Sequence, residues 1–332
     1  MEDKNQNNWY EWANDIYASS FTPLLKWRRL DMNGNRFYYA NTPEGTKVAC
    51  GITTAISKTS PTPYFLEKWK EDNPNWRAML AEMAKYGTLL HTGMVELMTL
   101  PCVPEATIER ASEFDKKQQF IKDLASIRQF ILDYKFEPIF IEVILSKELI
   151  NGMHVCTAID LFGKMTIPTK VKKEVQDGFY VRGEKKGLPK FTTETTETFE
   201  RCYGVVDLKS NFHNKEEKSF FDSHKEQLVF GRDCLMHNFG IPKNEIRMFN
   251  LSTVAWRTTP KYELKEWKDE PNEFGYTTSQ VLEHKIKLGL MDGSILPKGT
   301  IIETGEVSMQ NIEVTQYTYE EYADKMIKEL EQ

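Results

Sequence analysis

Apolar positions recur first at helical and then at strand spacing along this chain. Between Thr62 and Leu100, Phe65, Trp69, Met79, Met83 and Leu89 return at intervals near three and four within a polar background, which predicts amphipathic helices. Pro74 divides that stretch into two, because its ring cannot continue a helix. A further helix is predicted from Glu105 to Lys135, where Ile121, Leu124, Ile127, Phe130 and Ile131 form one apolar stripe. The first fifty residues mix aromatic and basic positions with the turn pair Asn33-Gly34, which suggests a hairpin.

The pattern changes at Phe136. FEPIFIEVILSKE is rich in β-branched and aromatic residues and is followed by MHVCTAIDLFGKM, so two strands joined around Asn151-Gly152 are expected. A polar, basic segment from about Thr166 to Cys202 precedes a third strand, YGVVDLKS. A helix from about Lys218 to Phe239, closed by Gly240 and Pro242, leads to a strand-like run, RMFNLSTVAW. This order predicts a mixed α/β domain. It spans residues 1–270 with an insertion at about 164–202. The segment around Pro271 reads as a linker to a helical extension, 271–332, with helices in VLEHKIKLGL and TYEEYADKMIKELEQ.

With 332 residues, 40% of them hydrophobic, the chain is long enough to bury a large core. The net charge of -6 argues against a general polyanion binder, so any nucleic-acid contact must come from a local basic patch. Five widely spaced cysteines without a CxxC pair argue against a disulfide framework or zinc knuckle and favour a reducing, cytoplasmic setting. MEDKNQNNWYEW lacks the basic start and apolar core of a signal peptide, and no run of eighteen apolar residues predicts a membrane span.

The chemistry is concentrated in GVVDLKS. Side chains alternate along a strand, so Asp207 and Lys209 share one face while Leu208 points to the other. A carboxylate that holds Mg²⁺ or Mn²⁺ beside an ammonium that offsets developing charge is what phosphodiester hydrolysis needs. One carboxylate holds a hard cation poorly, and Asp160, at the end of an apolar stretch past the Gly152 turn, is the natural second oxygen ligand. Glu142 interrupts the apolar run IFIEVIL, where an acid costs several kcal/mol unless it is paired or metal-bound. His91 can join the carboxylates or hydrogen-bond a phosphate, and Gln227 can fix the lysine. A D-x-K pair standing alone is more often a solvated edge pair.

The stretches GTLLH (Gly87 to His91), FIEV (Glu142), TAID (Asp160), VVDLKS (Asp207 to Ser210) and QLVFG (Gln227 to Gly231), in this order, resemble the PD-(D/E)XK nuclease superfamily, in particular its RecB-like and phage-exonuclease branch. ITTAISKTSPTPYFLEKWKED is similar to the helical N-terminal segment of that branch. The resemblance implies a restriction-endonuclease-like core, a central mixed β-sheet flanked by helices. It implies metal binding by Asp160, Asp207, the backbone carbonyl of Leu208 and His91, with Lys209 catalytic, Glu142 assisting and Gln227 supporting. It further implies DNA as substrate, exonuclease action in recombination or phage DNA processing, and a single-strand annealing or recombination protein as a partner. Endonuclease action and a non-catalytic DNA-binding module with the same fold are the alternatives. Gly231 stands where the family usually has tyrosine, and Thr157 where it usually has glycine. Some relatives hold an iron–sulfur cluster; with no cysteine after Cys234 and no cluster spacing, none is expected here.

From Lys164 to Lys190 eight basic residues face three acids. This predicts a basic arm whose Lys170, Lys172, Lys173, Lys185 and Lys186 grip DNA phosphates beside the metal site. Tyr64, Phe65 and Trp69 have two readings, as core positions of a helix or as platforms for unpaired bases.

Overall fold

The computed structural model describes residues 23–296 except 33, 34, 44, 63, 101, 151 and 184. Near the start of the chain, β1 (Arg28–Met32), β2 (Asn35–Thr42) and β3 (Gly45–Gly51) pair as an antiparallel meander. The Asn33-Gly34 pair between the first two strands lies outside the described residues, as does the final helix expected in TYEEYADKMIKELEQ. Four helices follow: α1 (Ile52–Thr59), α2 (Tyr64–Asp72), α3 (Trp76–Thr99) and α4 (Glu105–Arg110). The break between α2 and α3 falls at Pro74, as the sequence predicts.

The single helix expected over Glu105 to Lys135 is instead α4, a 3-10 turn (Ala111–Phe114) and α5 (Lys117–Asp133). α4 ends at Arg110, and the 3-10 turn closes at Asp115, which sits in the left-handed region at φ 55, a conformation no α-helix continues through. Gly93 lets α3 and α5 approach closely, since a β-carbon there would come within 2.8 Å of Phe120 and Leu124.

β4 (Glu137–Ile150) and β5 (Met153–Phe179) form the predicted hairpin around Gly152, and β6 (Pro189–Lys209), α6 (Asp222–Phe239), β7 (Ile246–Thr253), β8 (Tyr262–Trp267) and α7 (Thr278–Met291) complete the described chain. Gly240, at φ 68, caps α6 as expected. One sheet joins all eight strands in the order β1-β2-β3-β5-β6-β7-β8, with β4 on the other edge of β5. Its β3–β5 and β6–β7 pairs are parallel and the rest antiparallel, so the sheet is mixed.

Strand alternation divides the core into two layers. Phe162, Val205 and Met248 pack with α1, α6 and α7 on one face, whereas their neighbours Leu161, Val206 and Phe249 pack with α3 and α5 on the other. α7 contributes Leu282, Ile286 and Leu290 to the same cluster as α6. Among the described residues, no helix is long and apolar enough to cross a membrane.

The insertion differs from the expected intervening segment. β5 and β6 continue past the core as one antiparallel ribbon, paired from Leu161↔Val206 out to Phe179↔Pro189. Its polar residues on both faces, TTETTETFE above all, hide the strand pattern from sequence reading.

Candidate metal centre

The site lies where the sheet forks. On one edge of β5, β3 pairs with Val155 and Cys156, and β6 joins only from Leu161. Thr157 to Asp160 fall in the gap between them. Asp160 is buried there, and its Oδ2 accepts the backbone N–H of Leu208 at 2.7 Å. Since Leu161 pairs with Val206, Asp160 and Asp207 are the next residues beyond that pair on their two strands. A small recess runs beneath them, lined by Thr157, Asp160, Val205, Asp207, Gln227 and Gly231.

Both acid-bearing strands slip phase at this point. Ile141 and Val143 are two residues apart yet pack in opposite layers, and so do Ile159 and Leu161. The register pairs Ile141 with Leu161 and Val143 with Ile159, which leaves Glu142 and Asp160 between the same two rungs. Glu142 takes the slip in its backbone, at φ 54, a left-handed conformation that costs a residue with a β-carbon about 1–2 kcal/mol. Such strain is typical of functional sites.

His91 reaches the pair from α3. Its Nδ1 lies 2.7 Å from Glu142 Oε1 and 3.7 Å from Asp160 Oδ1. Ligand atoms of His91, Glu142 and Asp160 all lie within 4.8 Å of one another. Burial pushes the His91 imidazole down, but Asp160, the Glu142 hydrogen bond and the charges of Glu142 and Asp207 outweigh it and lift it to about 9. Burial raises the Asp160 carboxyl well above its ordinary value; His91 pulls it back, while Asp207 and Glu142 push it further up. Imidazolium therefore supplies positive charge that the acids need. Two carboxylates and an imidazole at this separation suit a divalent cation, whose charge would take the place of that proton.

Asp207 is held differently. Lys209 Nζ donates to it at 2.9 Å and to Gln227 Oε1 at 3.1 Å, so Gln227 on α6 orients the lysine. Asn250 Nδ2 donates to Asp207 Oδ2, and Trp267 Nε1 donates to Asn250 Oδ1 at 2.6 Å. Asn250 and Trp267 were not singled out from the sequence. An amide inside the apolar run RMFNLST is the available signal, of the kind that marks Glu142; for Trp267 the signal is the apolar–polar alternation that opens YELKEW in β8. His224, one turn before Gln227, is pushed down to about 3 by burial and then by Lys209 and Lys218, so a neutral imidazole borders the lysine.

His91, Glu142, Asp160, Asp207, Lys209 and Gln227 thus converge, and the Leu208 backbone joins them through its N–H to Asp160. The lysines of the arm do not. Lys170, Lys172 and Lys173 stand in the ribbon across from Glu197, Thr195 and Glu194, so β6 returns acids opposite the basic strand. Lys185 and Lys186 lie at its far turn, exposed. At about 3.3 Å per residue, Phe179 stands up to about 60 Å along β5 from Asp160, so that turn lies at the far end of the ribbon from the carboxylates. In α2, Tyr64 is 78% exposed and Trp69 half-buried, and neither belongs to a core cluster.

Compared with known proteins, the chain matches no family model and no curated protein.

Proposed function

We propose that this protein is a Mg²⁺- or Mn²⁺-dependent deoxyribonuclease, acting as an exonuclease on DNA ends in recombination or phage DNA processing. The observation that carries the reading is the convergence of Glu142, Asp160, Asp207, His91 and Lys209 from α3, β4, β5 and β6 on one fork of the sheet. The end-directed action and the recombination setting rest on resemblance to the PD-(D/E)XK superfamily.

Asp160, Glu142 and His91 would hold the cation, with Asp207 beside them. When bound, the cation supplies Lewis acidity toward a phosphate oxygen. Lys209, aimed by Asp207 and Gln227, places an ammonium where charge grows on the phosphate as its bond to the leaving oxygen breaks. Asn250 keeps the Asp207 carboxylate in place for that lysine.

Incubation with linear and closed circular DNA in Mg²⁺ or Mn²⁺ tests the reading. Loss of linear DNA alone identifies an exonuclease, and loss of both an endonuclease. Persistence of both, with DNA still bound, identifies a binding module instead. Asp207→Ala should abolish cleavage; full activity in that variant would remove the assignment.

A further inference from the structure

β5 and β6 carry the carboxylates at one end, and the ribbon that they form beyond the core has its charge unevenly spread. Along the stem, the register sets Lys170 across from Glu197 and Lys173 from Glu194. At the base, Arg201 pairs with Glu137 and Arg247 with Glu200. Near the end Lys190 pairs with Asp177 at 3.3 Å. Beyond that pair the turn presents Arg182, Lys185 and Lys186, exposed and, among the described residues, without a carboxylate partner.

Apolar groups stand beside these cations. Val181 is 78% exposed and Leu188 55%, and Phe179 and Phe191 are exposed on the flanking strands. The turn has a defined shape: Tyr180 N–H donates to Leu188 O at 2.9 Å, Gly187 N–H to Tyr180 O at 2.8 Å, and Lys186 N–H to Gly183 O at 3.1 Å. Gly183 and Gly187 hold positive φ there, so the turn depends on residues without a β-carbon.

We infer that this tip is a second contact on duplex DNA, remote from the catalytic centre along the same duplex. The inference rests on the nuclease reading for its polyanion. A two-stranded ribbon fits the major groove, cations pair with the phosphates that border it, and apolar side chains at a ribbon tip wedge against base steps. Charge selects the occupant: the protein as a whole is acidic at -6, whereas the sequence of this turn carries Arg182, Lys185 and Lys186 against Glu184 and is locally basic. A span of up to about 60 Å corresponds to about 18 base pairs of B-form duplex. The preferred substrate is therefore duplex long enough to reach both the fork and the tip.

The test measures binding of the full chain to blunt duplexes of about 12 and about 30 base pairs by fluorescence anisotropy in EDTA, across a salt series. The unaltered protein should bind the longer duplex at least about tenfold tighter, and the triple variant R182S/K185S/K186S should lose that length preference and about 2–3 from the salt slope. A second variant, V181S/L188S, should reduce the preference while keeping the slope. Equal affinity for both lengths in the unaltered protein overturns the proposal, as does a triple variant that keeps preference and slope. An oligomer that dissociates in the triple variant also overturns it, by assigning the tip to a second copy of the chain. If the length preference behaves as expected but Mg²⁺ and Mn²⁺ elicit no cleavage, the nuclease reading fails and the duplex contact stands.

Discussion

The Asp160 carboxylate takes the backbone N–H of Leu208 at 2.7 Å, so a side chain on β5 supplies the acceptor that this part of the sheet lacks. One oxygen of the acid has a structural task and the other faces His91. The two tasks are separable by substitution.

Asp160→Asn keeps an oxygen for Leu208 and removes a buried charge, so its thermal midpoint should equal or exceed that of the unaltered protein. Asp160→Ala strands the buried N–H and should cost about 1–3 kcal/mol. Both should fail to bind Mn²⁺ by calorimetry. Retained binding in either would show that the acid is not a ligand.

Glu142 offers a complementary comparison through its φ of 54. Glu142→Gly relieves the left-handed backbone and Glu142→Ala does not, while both remove the carboxylate. Urea unfolding should find the glycine variant more stable than the alanine variant by about 1 kcal/mol, with cation affinity lowered equally in both. A less stable glycine variant would mean that the backbone there is unstrained.

Asn250 links Asp207 to Trp267, and both groups rely on it. Asn250→Ala should lower stability by about 2–3 kcal/mol, because a carboxylate oxygen and an indole N–H lose their partner. Cleavage should fall as well, since Asp207 and with it Lys209 lose a fixed position. Unaltered turnover at saturating metal would show that Lys209 alone positions the acid.

A pH effect is expected away from the cation site. Asp123 is buried on α5, and burial pushes its carboxyl up to about 6 against hydrogen bonds led by that from Tyr86. The folded protein keeps this proton up to about pH 6, whereas an unfolded chain releases it near about pH 4. The group's contribution is therefore complete below about pH 4 and is lost as pH rises through about 6, on the order of 3 kcal/mol. Urea midpoints between pH 4 and pH 8 should fall less for Asp123→Asn than for the unaltered protein; parallel profiles would reject this account.

Much of the site was legible because its chemistry conflicts with its surroundings. Glu142 in IFIEVIL and the acid and lysine of VVDLKS are charges in apolar strands, and local sequence carries that conflict. Asn250 makes the same conflict more quietly, as an amide. The slip of phase at Glu142 and Asp160 is not local: it arises from two strands and two helical layers together, so alternation read along either strand alone misses it. Likewise, the break at Asp115 depends on one backbone angle, and the ribbon on a pairing that polar residues do not advertise. The sheet with helices on both faces was legible because Leu, Ile and Phe positions keep the helical or strand period nearly everywhere else.

Phe37, on the second strand, and Ile286, on the last described helix, belong to one apolar cluster, about 250 residues apart in sequence. During synthesis the early meander can form its own ladder and pack on α1, yet the cluster they share is complete only once α7 has emerged. Long closures of this kind slow folding. The cation site, though built from the middle of the chain, rests on a layer that is finished late, so its assembly should trail translation rather than keep step with it.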